Sequence, residues 1–276
     1  MTKAIINNNL PFAEFSRAEK TNRNIGKVWL VGFGPGDPEL LTMKGLKILK
    51  KADIIFYDDL LNKEYLLKFK AEKIYVGKRK GRHSHEQDSI NQMLYEAACD
   101  GKKVVRLKGG DPMLFAHGGE EIEFLRSRSI RVEVVPGVTA ALAASAFAKV
   151  PLTHRGLATC VTFATGHSDK NIVVPNSGTL VYYMGASNLG LIAKKVISKG
   201  WKAETPVLLV YNVSGEDQKE FFTTLQEIVD ELQTYKTPLI IIIGEVVGLR
   251  QVSFSQNLNE KSTKLEVKQR HVLLHK

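Results

Sequence analysis

The chain has 276 residues and is 43% hydrophobic, enough for one large domain or two smaller domains with hydrophobic cores. The longest purely aliphatic run, Leu239–Ile243, is far shorter than the ~20 residues of a membrane span. The N-terminus lacks the apolar segment of a signal peptide, so we expect a cytoplasmic protein. Cys99 and Cys160 lack the spacing of a disulfide framework or a zinc site. The net charge of +10 is compatible with a solvated basic surface or with a polyanionic ligand.

Patterns of buried strands alternate with helical patterns in the first half of the chain. Strands are predicted at 28–32, 53–57, 73–76, 103–107 and 131–135. Helices are predicted at 37–50, 63–69, 87–100, 119–127 and 139–149. This alternation predicts an α/β fold with a parallel sheet.

The segment 151–156, PLTHRG, interrupts the alternation and marks a predicted domain boundary. Beyond it, a second sheet is predicted from strands at 159–165, 179–184, 206–211 and 238–244, with helices at 189–198 and 224–232. The predicted organisation is an N-terminal extension (1–26), an N-terminal α/β domain (27–150), a C-terminal α/β domain (151–252) and a C-terminal tail (253–276).

A glycine-rich turn, GFGPGDP at 32–38, follows the first predicted strand. Such turns commonly bind phosphate at a helix N-terminus. Here Pro35 removes an amide donor and Asp37 would repel a phosphate, so the turn disfavours a dinucleotide or a nucleoside triphosphate. A tight strand-to-helix turn is the alternative interpretation.

Two further glycine-containing turns, KGGDP at 108–112 and PGVTA at 136–140, follow later strands of the same predicted sheet. Paired glycines allow a ligand to approach the backbone, and Thr139 is placed to cap the following helix. Each motif alone is equally compatible with a plain turn or a helix cap. Together, three glycine turns at successive strand ends predict one ligand along the rim of the sheet.

Several longer segments occur in the order found in one protein family. They are GFGPGDPELLT, VGKRKGRHSHEQDSINQ, VVRLKGGDP, HGGEE, VVPGVTAA, PLTHRG, VTFATGH, LVYYMG and GEVVGLR. From about Lys27 to Gln251 the chain therefore resembles the uroporphyrinogen-III C-methyltransferases, a subfamily of the tetrapyrrole (class III) methylases. HSxxQxxIN, RLKGGDP and PLTHR distinguish this subfamily from the broader superfamily.

The resemblance implies the tetrapyrrole methylase fold, in which two α/β domains hold the cofactor in the cleft between them, and it implies a homodimer. Two methyl groups would pass from S-adenosyl-L-methionine to uroporphyrinogen III, giving precorrin-2 by way of precorrin-1, with S-adenosyl-L-homocysteine as the other product. Precorrin-2 would then enter sirohaem or cobalamin biosynthesis. Neither nucleic acid, a membrane nor a metal is expected. By position, the implied cofactor contacts are Pro35, Gly109, Gly110, Asp111, Leu114, Thr139, Ala140, Met184, Val213 and Leu239.

The resemblance also implies catalytic roles. Asp58 matches a proposed proton acceptor and Lys78 a proposed proton donor, while Glu120 and Arg155 match residues of the substrate site. The alternative for Asp58 is a helix cap, and the alternative for Lys78 is a surface cation. His117 stands where relatives usually have an arginine that is proposed to help remove the proton. A neutral imidazole is a competent base near neutral pH, although one anchor for a substrate carboxylate would then be lost.

A second departure is Val213, which replaces a glycine near the cofactor in a turn that reads asparagine-glycine-threonine in relatives. His83 and His85 lack a third metal ligand at useful spacing. The alternatives to the expected function are a class III methylase acting on a later precorrin or on ribosomal RNA, and a tetrapyrrole-binding homologue with weakened turnover. A nucleotide-dependent oxidoreductase is a third alternative.

Overall fold

The computed structural model describes residues 25–59, 61–77, 87–167, 172–231 and 233–250. The first of two five-stranded sheets is entirely parallel, with strand order β3-β2-β4-β1-β5. Its strands are β1 (Lys27–Gly32), β2 (Ile54–Tyr57), β3 (Glu72–Tyr75), β4 (Lys103–Lys108) and β5 (Arg131–Val135). The accompanying helices are α1 (Met43–Leu49), α2 (Lys63–Leu66), α3 (Gln87–Cys99), α4 (Gly118–Ser127) and α5 (Ala140–Ala148).

The second sheet is mixed, with strand order β6-β7-β10-β8-β9. Its strands are β6 (Val161–Thr165), β7 (Thr179–Tyr183), β8 (Pro206–Tyr211), β9 (Lys219–Thr224) and β10 (Leu239–Ile243), with helices α6 (Leu189–Ser198) and α7 (Leu225–Asp230). The pair β6–β7 is parallel, whereas β10 is antiparallel to both β7 and β8, and β9 is antiparallel to β8. The expected α/β fold with two sheets is confirmed.

The helix predicted over 37–50 is wrong as a single element. A short 3₁₀ helix, Pro38–Leu40, is capped by Asp37, whose side chain accepts a hydrogen bond from the Glu39 amide at 2.8 Å. The chain then becomes extended, and Thr42 caps α1 by accepting from the Gly45 amide at 3.1 Å. Because two residues offer competing N-caps five positions apart, the segment forms two short helices.

Helix α5 follows β5 of the first sheet but packs on the second. Its buried alanines, among them Ala141 and Ala144, belong to one apolar cluster with Val181, Leu208 and Ile242 of β7, β8 and β10. Small side chains allow the helix to approach the sheet closely. The predicted division of the chain at 150/151 stays a prediction, because this helix links the two sheets across it.

None of the helices in the described ranges has the length and apolarity needed to cross a membrane. The predicted extension (1–26), apart from residues 25 and 26, and the predicted tail (253–276) lie outside the described residues.

Candidate functional site

Three glycine turns lie side by side at one edge of the first sheet. We call residues 32–37, 109–112 and 136–140 the glycine rim; they follow β1, β4 and β5, which are adjacent strands. A Cβ atom on Gly32 would lie 2.6 Å from both the Gly110 carbonyl oxygen and the Gly137 amide nitrogen. Such close backbone packing requires glycine. The prediction that the turns share one rim is confirmed, and these glycines serve first to pack the turns against one another.

Three backbone amides of the glycine rim are bonded within the protein. Gly34 donates to the Gly110 carbonyl at 3.2 Å, and Gly110 donates back at 2.7 Å. The Gly137 amide donates to Asp111 Oδ2 at 3.0 Å. A phosphate site needs several backbone amides directed at the ligand. Since these three are already engaged, they are not directed at a ligand, which weighs against the nucleotide-dependent alternative.

Asp111 joins two of the turns. Its Oδ1 accepts from the Met113 amide at 2.8 Å, and its Oδ2 accepts from the Gly137 amide at 3.0 Å. Each carboxylate oxygen can accept a further hydrogen bond. Asp111 is therefore fixed in orientation by the protein while it retains acceptor capacity for a ligand.

The glycine rim faces one edge of the second sheet. This edge contains Met184 after β7, Val213 after β8 and Leu239 at the start of β10. Because β10 is antiparallel, Leu239 is the register partner of Tyr211, the last residue of β8. The predicted cofactor contacts of the second sheet thus share a single edge.

Two hydrogen bonds connect the rim to this edge. Thr139 Oγ1 and the Tyr183 hydroxyl are 2.6 Å apart, and the Asp37 amide donates to Ser214 Oγ at 3.0 Å. The Phe115 ring also lies 5.0 Å from the Tyr183 ring. Thr139 is the N-cap residue of α5, as predicted, but its hydroxyl pairs with Tyr183 and makes no capping hydrogen bond.

The predicted cofactor residues differ in exposure. The Met184 side chain is 50% exposed, whereas Val213 and Leu239 are only 6% and 4% exposed and belong to apolar clusters of the second sheet. These two side chains are therefore packed within the second sheet. The remaining positions on or beside the rim are partly exposed, apart from the buried Thr139: Pro35, Gly109, Gly110, Asp111, Leu114 and Ala140.

Backbone strain is concentrated around the rim and the facing edge. Left-handed φ values of 46° to 63° occur at Phe115, His117, Met184, Asn212 and Ser214. Such conformations cost on the order of 1–3 kcal/mol each and persist where the surrounding structure imposes them. Their clustering here is typical of a functional site.

Asp58 lies directly after β2, at the same edge of the sheet as the glycine rim. Arg106 Nη2 donates to both Asp58 carboxylate oxygens, at 2.8 and 2.9 Å. The alternative role of Asp58 as a helix cap is wrong, since the N-cap of α2 is Asn62, which accepts from the Tyr65 amide at 2.9 Å.

Asp58 is the outermost of four charged side chains that we call the buried ion network. The other three, which are buried, are Arg106, Lys108 and Glu121. Glu121 Oε1 accepts from Arg106 Nε at 3.1 Å and from Lys108 Nζ at 2.7 Å. Burial opposes the charge of Arg106, but attraction from Asp58 and Glu121 outweighs it and raises the Arg106 pKa. Burial, together with repulsion from Arg106, lowers the Lys108 pKa.

The other predicted catalytic residues are exposed. His117 Nδ1 lies 2.8 Å from Glu120 Oε2 at the start of α4, and their side chains are 64% and 62% exposed. Arg155 is exposed on the loop after α5, and the structure brings it into no hydrogen bond or ion pair with any other described residue. Lys78 lies outside the described residues.

Within the described ranges, no group of three or more His, Cys, Asp and Glu side chains is arranged to hold a metal ion. His83 and His85 lie outside those ranges.

Several residues of the site were not predicted from the sequence. Tyr183 and Ser214 act through contacts with distant segments, which no local pattern indicates. Arg106 and Lys108 did leave a signal, because charged residues two apart in an otherwise apolar strand lie on the same buried face. Their partner Glu121 was not predicted.

Residues 27–229 match the family model for Tetrapyrrole (Corrin/Porphyrin) Methylases. The chain belongs to this family, and its two sheets are those of the family's solved structures. Within it, the chain is 46% identical over 236 residues to uroporphyrinogen-III C-methyltransferase of Methanocaldococcus jannaschii, covering 81% of this chain and 98% of the relative.

Two solved structures are similar. Uroporphyrin-III C-methyl transferase from Thermus thermophilus, complexed with S-adenyl homocysteine, is 39% identical with a TM-score of 0.72, covering 81% of this chain and 100% of that one. A cobalamin biosynthetic enzyme, cobalt precorrin-4 methyltransferase, is 29% identical with a TM-score of 0.70, covering 80% of this chain and 95% of that one. The TM-scores to the two enzymes are nearly equal, whereas the sequence identity is higher to the uroporphyrin-III C-methyl transferase.

The chain also matches bacterial sirohaem synthases at 42–45% identity. It spans 47–55% of their length, about half.

Proposed function

We propose that this chain transfers two methyl groups from S-adenosyl-L-methionine to ring carbons of uroporphyrinogen III, forming precorrin-2 by way of precorrin-1. The observation that carries the proposal is the glycine rim, in which the amides of Gly34, Gly110 and Gly137 are engaged internally, beside the Asp58 carboxylate fixed at the end of the neighbouring strand β2. Such a site suits a phosphate-free cofactor and a reaction that ends in proton removal. The M. jannaschii and T. thermophilus relatives support the same reaction.

The residues of the rim fit S-adenosyl-L-methionine. When bound, this co-substrate supplies a methyl group on a sulfonium, which a carbon nucleophile displaces to leave S-adenosyl-L-homocysteine. Asp111 is oriented to accept hydrogen bonds from its amino or hydroxyl groups. Met184 and Phe115, 50% and 39% exposed, offer apolar contact from either side of the rim. The other proposed cofactor contacts are Pro35, Gly109, Gly110, Leu114, Thr139, Ala140, Val213 and Leu239.

The substrate is a polycarboxylate, and the chain carries a net charge of +10. Arg155 is exposed and supplies donors for substrate carboxylates. Glu120 Oε2 lies 2.8 Å from His117 Nδ1, which fixes the imidazole and leaves Nε2 available as a base. Rigid placement of the ring carbon in line with the methyl group would supply much of the rate acceleration.

Proton removal completes each transfer. Attack by the pyrrole carbon forms a carbon–carbon bond, breaks the carbon–sulfur bond and leaves a cationic ring, which must lose a proton. Asp58 is proposed as the acceptor because Arg106 holds both of its oxygens and so fixes the direction in which the carboxylate points. Lys78 is proposed as a proton donor and His117 as a second base.

Three further statements belong to the proposal. The chain acts as a homodimer in the cytoplasm, without nucleic acid or membrane. Its product enters sirohaem biosynthesis, as the printed names of the matched sirohaem synthases suggest. Because the chain corresponds to about half of those proteins, their remaining activities are not assigned to it.

Mass spectrometry of the product from uroporphyrinogen III and methyl-labelled cofactor tests the reaction. We expect a product carrying two labels and release of S-adenosyl-L-homocysteine. Turnover only with a later precorrin or with ribosomal RNA would move the assignment to another class III methylase. Cofactor binding by calorimetry without any methyl transfer would instead indicate a binding protein.

A further inference from the structure

Three charged side chains are almost completely buried beside Asp58. Arg106, Lys108 and Glu121 are 2%, 3% and 0% exposed. Removing charges from water costs several kcal/mol each, and buried ion pairs replaced by apolar side chains are often equally stable or more stable. Stability alone therefore gives a weak reason for this network, and its position at the carboxyl end of β2 and β4 suggests a role in the site.

Three hydrogen bonds converge on one carboxylate oxygen of Glu121. Glu121 Oε1 accepts from Arg106, from Lys108 and, at 3.2 Å, from Gln87 Nε2 of α3. Among the described residues, Glu121 Oε2 has no hydrogen-bond partner. Lys108 and Gln87 thus hold Glu121 Oε1 in place beside Nε of the Arg106 guanidinium.

Arg106 transmits this arrangement to Asp58. Its Nε is bonded to Glu121, so the planar guanidinium cannot rotate freely, and its Nη2 donates to both Asp58 oxygens at 2.8 and 2.9 Å. Asp58 itself is partly exposed, with 30% of its side chain accessible, whereas Arg106 and Glu121 are too deeply buried to touch a substrate.

We propose that Arg106 and Glu121 are positioning residues that fix the Asp58 carboxylate for proton removal during methyl transfer. The proposal rests on the proposed function, in which Asp58 accepts the proton. With all four groups charged, the network has no net charge, and Lys108 supplies the second cation that Glu121 requires. The raised Arg106 pKa supports a guanidinium that remains charged throughout turnover.

The first test places Arg106→Met and Arg106→Lys in the wild-type chain and in an Asp58→Asn background. In the wild-type background we expect Arg106→Met to lower kcat by on the order of 100-fold, because misplacement of a catalytic group costs about this much. Arg106→Lys keeps the charge without the planar fork and should lose less. In the Asp58→Asn background neither change should lower kcat further, because Arg106 acts through Asp58.

The second test compares two carboxylates of α4. Glu121→Gln should lower kcat by about 10-fold or more while the dissociation constant for S-adenosyl-L-homocysteine, measured by calorimetry, stays within about 2-fold. Glu123→Gln, on the exposed face of the same helix, should change neither quantity. Circular dichroism checks that each variant is folded. If Arg106→Met does not fold, Arg106→Lys and Glu121→Gln carry the same comparison.

The outcomes separate this inference from the proposed function. A wild-type kcat in Asp58→Asn would remove Asp58 from the mechanism and the inference with it. Loss of activity in Asp58→Asn together with unchanged kcat in folded Arg106→Lys and Glu121→Gln would overturn the inference alone. Equal, additive losses in both backgrounds would show a structural effect and would also overturn it.

Discussion

The two sheets bury very different side chains. In the first, Arg106, Lys108 and Glu121 are buried as charged groups beneath the strand ends. In the described part of the second, the buried polar side chains are the hydroxyls of Thr179 and Thr205, while every residue of β10 is a buried aliphatic.

This difference indicates a division of labour between the sheets. Buried charges in the first sheet need specific partners at specific distances, so they fix the direction of the Asp58 carboxylate, the proposed proton acceptor. The second sheet is stabilised by burial of apolar side chains. Its edge contacts the glycine rim through the Tyr183 and Ser214 hydroxyls. We therefore expect substitutions in the buried charges of the first sheet to lower kcat, whereas substitutions in the core of either sheet lower the free energy of unfolding.

The largest expected effect is from Gly32→Ala. Its Cβ would lie 2.6 Å from two backbone atoms of neighbouring turns, so we expect a loss of more than about 4 kcal/mol in the free energy of unfolding, or no folding. Gly190→Ala in α6 is the matched control, because nothing lies within 4 Å of its Cβ. That substitution should be neutral or slightly stabilising in urea unfolding. A stable, folded Gly32→Ala protein would contradict the described packing of the rim.

The next effect is from Ile241→Ala at the centre of the second sheet. Ile241 is fully buried, and its truncation should lower the free energy of unfolding by about 3 kcal/mol. Ile241→Val removes less and should cost about 1 kcal/mol. At temperatures where both variants remain folded, kcat should match the wild type. Loss of kcat without loss of stability would show that the second sheet takes a direct part in the chemistry.

A smaller effect is expected from Ser214→Ala, which removes the acceptor for the Asp37 amide across the two sheets. We expect a loss of about 1 kcal/mol in stability and several-fold weaker binding of S-adenosyl-L-homocysteine in calorimetry. Ser198→Ala is the control, since its hydroxyl bonds only within α6, to the Lys195 carbonyl. Equal binding by both variants would mean that this link does not position the rim.

The smallest effect concerns an exposed ion pair of the first sheet. Hydrogen bonds from Lys27 and Lys44 lower the Glu133 pKa from its ordinary value of 4.5 to about 2. A carboxylate with a depressed pKa stabilises the fold above its unfolded pKa and loses that contribution as pH falls from about 4.5 to about 2. Because Glu133 is partly exposed, Glu133→Gln should cost under about 1 kcal/mol at pH 7.

Urea unfolding of the Glu133→Gln variant at pH 7 and near pH 2, with and without 1 M salt, checks this. The difference from wild type should shrink at low pH and in salt. A loss that persists under both conditions would point to packing instead of charge.

The sequence predicted both sheets because strand-forming runs such as 131–135 and 206–211 coincide with the observed β5 and β8. Strand β9 was missed, since its alternation of partly buried and exposed residues at a sheet edge gives a weak apolar pattern. The helix over 37–50 was predicted as continuous because a second capping residue inside it went unweighed.

The site was predicted unevenly for a similar reason. Glycine turns are local signals, so the rim was predicted correctly. Arg106, Glu121 and Tyr183 depend on partners from other elements, and one sequence does not state which distant side chains meet. Thr139 occupies the predicted N-cap position of α5, but no local pattern indicates that its hydroxyl pairs with Tyr183.

The mutual contact of Gly32, Gly110 and Gly137 has a consequence for classifying related chains. The backbones beside Gly32 and Gly137 leave no room for a Cβ, and Gly110 has a left-handed φ of 66°. A protein that has lost all catalytic ability would therefore still require these glycines in order to fold. Their presence in a newly sequenced chain therefore diagnoses the architecture and says little about turnover. Under the proposed mechanism, a search for active methylases would instead ask whether Asp58, Arg106 and Glu121 have counterparts together, because burying these charges is costly.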